Sequence, residues 1–124
     1  MVGKKEFLWC VGIENTWMPQ RHRKDERILD EYGLTQHYQF WKDDIDLALD
    51  LGVNSIRYSV PWYKANPAPG KYEWSWSDKV INYVVKKGVS PIIDLIHYGT
   101  PLWMENELFN KSYPQMIAEY ARKF

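Results

Sequence analysis

The sequence predicts an α/β fold built on parallel strands. Three short apolar segments alternate with three amphipathic helical patterns. Tight links carry each helix back to the next strand. The links that follow the strands are much longer. Parallel strands need crossover connections, and a helix is the usual one.

The first segment, "EFLWCVGI" (Glu6–Ile13), is nearly continuous apolar chain, as expected for a strand buried on both faces. "NSIRYSV" (Asn54–Val60) and "SPIIDLI" (Ser90–Ile96) are the second and third. Between the first two, "HYQFWKDDIDLALDLG" puts Tyr38, Trp41, Ile45 and Ala48/Leu49 on one stripe, and Gly52 closes the helix. "SWSDKVINYVVKKG" repeats the plan, with a serine cap, Val80 and Val84 inward, Lys86 and Lys87 in the last turn, and Gly88 after it. A third helix is predicted from "SYPQMIAEYARKF": Ser112 caps it, Pro114 suits its first turn, and Met116, Tyr120 and Phe124 form its stripe.

The long links run from Glu14 to about Gln36, from Pro61 to about Ser75 and from His97 to about Lys111. In α/β folds the loops after the strands form the working face. Three strand ends therefore collect the candidate chemistry: Glu14 and Asn15; Arg57, Tyr58, Ser59 and then Trp62; His97 and Tyr98. An arginine inside an apolar strand needs an anionic partner. Arg57 thus predicts a nearby carboxylate, either at a working site or in a structural ion pair with Glu14 or Asp94.

Composition narrows the function classes. Sixteen acidic and sixteen basic residues in a chain of 124 give no net field towards nucleic acid or an anionic membrane surface. No apolar run approaches the roughly 20 residues of a membrane span. The N-terminus lacks a clear signal-peptide pattern. The single Cys10 rules out an internal disulfide and favours a reducing compartment. One cytoplasmic domain is the expectation. His22, His37 and His97 are scattered, so no metal is expected; with no Gly-rich phosphate loop, no cofactor is expected either. "PQRHRKDER" (Pro19–Arg27) mixes both signs and reads as a solvated loop. Aromatics reach 16%, which fits either a heavy aromatic core or a surface that stacks sugars or bases.

These segments resemble the N-terminal part of glycoside hydrolase family 1, the β-glucosidases, within the larger clan of (β/α)₈ barrels. "FLWCVGIEN" is similar to the opening strand, "HYQFWKDDIDLALDLGVNSIRYSVPW" to the first helix and second strand, and "GVSPIIDLIHYGTPLW" to the third strand. "YPQMIAEYARKF" is similar to the helix that follows. The resemblance implies the first three βα units of a barrel, with residues 1–124 as part of one glycosidase domain. It implies a retaining enzyme acting on β-glycosides. Arg57 would stand beside the catalytic nucleophile, and His97 would bond the sugar. Tyr98 takes the place of a Trp near that subsite, and Trp62 matches a Trp that is more wall than ligand. "GIENTWMPQ" departs from the family's Gln-Ile-Glu-Gly motif, so Glu14 and Asn15 are functional replacements at most, in a divergent branch. The acid/base and nucleophile glutamates would follow strands four and seven, beyond Phe124. The chain by itself is thus expected to bind carbohydrate but not to cut it. The alternatives are a non-catalytic binding fragment, an assembly fragment that self-associates through open sheet edges, or a cellulase-like clan member.

Overall fold

The computed structural model describes residues 7–19, 24 and 28–124. Glu6, His22 and most of the charged run Pro19–Arg27 lie outside the described residues. A three-stranded parallel sheet forms the centre, in the order β1 (Cys10–Ile13), β4 (Ser55–Ser59), β5 (Ser90–Asp94). The first long loop carries a second, antiparallel pair, β2 (Trp17–Pro19) with β3 (Ile28–Asp30). A short helical turn, α1 (Glu31–Leu34), leads into α2 (His37–Leu49). After β4 come α3 (Trp62–Ala65) and α4 (Ser75–Lys86). A 3₁₀ turn, Glu107–Phe109, and α5 (Tyr113–Lys123) complete the chain. This is the α/β architecture of a partial (β/α)₈ barrel.

Register and alternation separate the two faces of the sheet. Val11, Ile56 and Pro91 are partners, as are Ile13, Tyr58 and Ile93. These rows point at the helices. Ile56 and Tyr58 pack there with Trp41 and Ile45 of α2 and with Val80 and Val84 of α4. A second cluster joins Val60, Trp62, Met104 and Tyr120 of α5. The predicted stripes of α2 and α4 therefore face the core. Since Ile45 is fully buried, Ile45→Val should lower unfolding stability by about 0.5–1.5 kcal/mol. A urea titration with an unchanged slope checks it.

Most of the aromatic surplus is core. Trp62 stacks on Tyr120 (5.0 Å between centroids), which in turn stacks on Trp74 (5.7 Å). Tyr32 donates its hydroxyl to the carbonyls of Ile13 (3.0 Å) and Ser59 (3.3 Å), tying the ends of β1 and β4.

Three expectations need correction. Only β4 is buried on either side of its central residue, and Arg57 at that centre is exposed. β1 and β5 are the edges of the sheet, and Ile92 in the middle of β5 is 45% exposed on the face away from the helices. A strand with one neighbour and one covered face cannot be buried on both sides. Second, no serine caps α4. Ser75 is its first residue, and its N–H is taken by the Glu73 carboxylate (3.1 Å). The Ser75 hydroxyl, and after it this N–H, holds Glu73 below the usual carboxylate range. Third, Ser112 occupies the N-cap position of α5 without a side-chain capping bond. Gly52 does close α2: its φ of +78° suits glycine, and its N–H reaches the Leu49 carbonyl (2.9 Å). Among the described residues, no helix is long and apolar enough to cross a membrane.

Candidate active site

The rows on the other face of the sheet run Cys10–Ser55–Ser90, then Gly12–Arg57–Ile92, then Ser59–Asp94, with Glu14 just past the end of β1. The first row is small and the last is polar. Arg57 stands between them and reaches forward to the strand ends. Its Nε donates to Glu14 Oε1 (3.0 Å) and its Nη2 to Asp94 Oδ2 (2.9 Å). The carboxylate that Arg57 demanded is thus present twice, once on each neighbouring strand. The guanidinium is 47% exposed on its outer side. Space for the Glu14 side chain is left by Gly12. A Cβ there would lie 3.1 Å from Glu14 Oε1.

His97 follows β5 and joins the same group. Its Nε2 lies 3.1 Å from Glu14 Oε2. Glu14, Arg57, Asp94 and His97 therefore form one continuous array across the carboxyl ends of three parallel strands. Glu14, Asp94 and His97 each bring a ligand-type atom within 4.8 Å of the others. A cation already stands there: Arg57 spans both carboxylates, and its charge would repel a metal ion. Tyr98 sits outside this array with φ of +69°, well exposed, its ring tilted against His97 at 4.5 Å.

The other two candidates lie apart. Asn15 is buried, and both ends of its amide are committed. Its Oδ1 accepts from the Tyr32 N–H (2.9 Å), and its Nδ2 donates to the Tyr63 hydroxyl (2.7 Å). Trp62 lies in the helix-side core, with its Nε1 on Asn66 Oδ1 (3.3 Å). Both act from behind the array: Asn15 fixes the backbone after Glu14, and Trp62 supports the second strand's exit.

Two polar networks escape the sequence reading. Tyr63 bonds Tyr38, whose hydroxyl also reaches Asp30 (3.2 Å). Tyr63 also stacks on Trp17 at 3.6 Å. In the second network, buried His37 uses Nδ1 for Asp44 (2.6 Å) and Nε2 for Tyr58 (2.9 Å). The signal for that pair was available: Asp44 follows His37 by seven residues, two turns along one helix face.

Comparison with known proteins agrees with the fold. Residues 32–122 match the family model Glyco_hydro_42, described as β-galactosidase. Beta-glucosidase 44 of Arabidopsis thaliana is 32% identical over 123 residues, covering 96% of this chain and 23% of its own length. Beta-glucosidase A of Thermotoga maritima is 29% identical over 92 residues, 69% of this chain and 21% of that protein. The chain thus spans about a quarter of the length of such relatives. Among solved structures, a β-glucosidase from Exiguobacterium marinum superposes with a TM-score of 0.73 at 20% identity, over 98% of this chain and 33% of that one. The Thermotoga maritima β-glucosidase in complex with deoxynojirimycin gives 0.63 at 28% identity, over 69% of this chain and 21% of that one. Parallel strands, polar strand ends and these matches lead to one conclusion: the chain belongs to the glycoside hydrolase family of that β-galactosidase model, with β-glucosidases among its relatives, and carries the N-terminal βα units of their barrel.

Proposed function

We propose that residues 1–124 form part of a glycosidase barrel domain that hydrolyses β-glycosides with retention, and that this part holds the sugar. The observation that carries the reading is the Glu14–Arg57–Asp94–His97 array at three adjacent strand ends. Glu14 and His97 offer an acceptor and a donor to sugar hydroxyls, and Tyr98 offers an exposed ring face beside them. Arg57 has the position and charge to hold a carboxylate nucleophile supplied by a later strand. Asn15 and Trp62 are supporting walls.

Retaining hydrolysis needs two carboxyl groups about 5–5.5 Å apart, one to protonate the leaving oxygen and one to attack the anomeric carbon. Glu14 and Asp94 are poor substitutes. A single guanidinium bridges both, and Glu14 also holds His97. Both carboxylates are engaged as acceptors within the array and are placed to bind rather than to react.

The chain alone should therefore show no turnover of an aryl β-glucoside, and activity above a boiled control would sink that part. A titration of the isotopically labelled chain with methyl β-glucoside should move the signals of Glu14, Arg57, His97 and Tyr98. Shifts spread evenly over the surface, or none, would count against the site.

A second reading is favoured by the sheet edges. Among the described residues, β1 and β5 each lack a neighbour on one side, and Phe7, Leu8 and Trp9 before β1 are largely exposed. Unpaired edges with apolar flanks recruit further strands. This reading makes the chain an assembly fragment, and light scattering should then show self-association that rises with concentration.

A further inference from the structure

Behind the array is a second polar feature that the sugar-holding role does not use. A small cavity of about 10 Å³ lies where β4 ends and the chain leaves β5. Ser59 and His97 are both among its lining residues, with Trp17, Trp62 and Tyr63 closing it. Ser59 is only 2% exposed. Among the described residues, Ser59 Oγ and His97 Nδ1 are both buried without a hydrogen-bond partner. Two orphaned buried polar atoms in one wall are costly, roughly 1–3 kcal/mol for each. Native proteins rarely leave such groups unmatched.

The cavity has the right size and chemistry for one guest. About 10–15 Å³ on this measure holds a single water, and a buried water needs two to four polar partners. An apolar guest would leave both polar atoms unmatched. A larger polar molecule has no room.

We propose that a structural water occupies this cavity, bridging Ser59 Oγ and His97 Nδ1, and that Ser59 is a positioning residue for His97. The proton arrangement follows from the neighbours. Glu14 Oε2 accepts from His97 Nε2–H on the open face. In the neutral ring Nδ1 is then an acceptor. The water donates one hydrogen to Nδ1 and accepts a hydrogen bond from the Ser59 hydroxyl. The bridge holds the ring from behind and keeps the donor on Nε2, facing the array. The functional value of this rests on the reading of His97 as a sugar contact; the water and the tautomer do not.

The test uses the whole chain with labelled histidine, at a pH well above the ordinary histidine range. A long-lived water should give cross-relaxation to protons of Ser59 and His97, and nitrogen shifts should show His97 mainly as the Nε2–H tautomer. Ser59→Ala should abolish the water signal and shift the tautomer ratio at least about threefold, the size given by one lost hydrogen bond. Ser59→Thr, which keeps the hydroxyl, should restore both. No water signal in the parent chain overturns the proposal, as does an Ser59→Ala variant with an unchanged tautomer ratio. Should Ser59→Ala fail to fold, the parent's water signal and tautomer decide alone. A bound water with no sugar-induced shift at His97 would refute the sugar-holding role and leave this inference standing.

Discussion

By pH 11 the fold should have lost about 4 kcal/mol of its neutral-pH stability through three tyrosines alone. Tyr32, Tyr58 and Tyr120 are almost completely buried. Burial is the leading cause that pushes each of their hydroxyls far above the ordinary phenol value. In the unfolded chain these groups ionise near pH 10. In the folded chain they stay neutral well beyond it. The contribution is therefore complete below about pH 10 and is lost as pH rises towards the folded-state values. Each pH unit above 10 costs about 1.4 kcal/mol per tyrosine. Tyr38 and Tyr63 are raised in the same direction by burial and add to the loss. A single domain has only about 5–15 kcal/mol to lose. Far-ultraviolet dichroism and phenolate absorbance, followed together against pH, check this. The buried set should ionise together with the loss of helix. Full ionisation of all tyrosines with the helices intact would refute it.

Gly99→Ala is the substitution with the largest expected effect. Gly99 follows His97 and Tyr98 and lies directly against Trp17. A Cβ on it would fall 2.7 Å from both Cβ and Cδ1 of Trp17. The indole cannot swing aside cheaply. It stacks on Tyr63 at 3.6 Å, and its Nε1 donates to the Thr100 carbonyl (3.2 Å). Overpacking of this kind costs about 1–3 kcal/mol, and a contact with the root of a side chain belongs at the upper end. The urea midpoint should fall accordingly. Trp17→Leu in the same background should recover little of the loss, because the 2.7 Å contact with the Cβ of residue 17 remains when the ring is gone. A Gly99→Ala chain as stable as the parent would show that the loop moves freely.

The segments read best from sequence were those with a strong period and clear punctuation. α2 and α4 show their stripes at helical spacing, and Gly52 and Gly88 mark their ends with left-handed φ values. The parallel order followed from the alternation of elements. The β2–β3 pair was invisible because each strand has three residues and nothing between them reads as a hairpin turn. β1 and β5 misled through composition. Their apolar residues suit a strand covered on both faces, yet in this chain each has an open side. At the site, the charge on Arg57 announced its partners, since a cation in an apolar strand has few options. Asn15 was legible as a polar strand-end residue but not as a buried one. Its partners Tyr32 and Tyr63 lie 17 and 48 residues away, and no local pattern reports such contacts.

The Arg57 array also bears on how the strands find one another. Side chains alternate with a period of two, so a slip by one residue turns a strand inside out and is rejected by the core. A slip by two residues preserves the faces and escapes that check. Here it would not escape. On the Arg57 face β1 presents Cys10 and Gly12 before the single acid Glu14, and β5 presents Ser90 and Ile92 before the single acid Asp94. Either strand displaced by two places towards its carboxyl end brings Gly12 or Ile92 to the position now held by its acid and removes one of the guanidinium's anions. The same charges that face a ligand thus proofread the alignment of the chain, accepting one pairing on each side of β4 and discarding its nearest impostor.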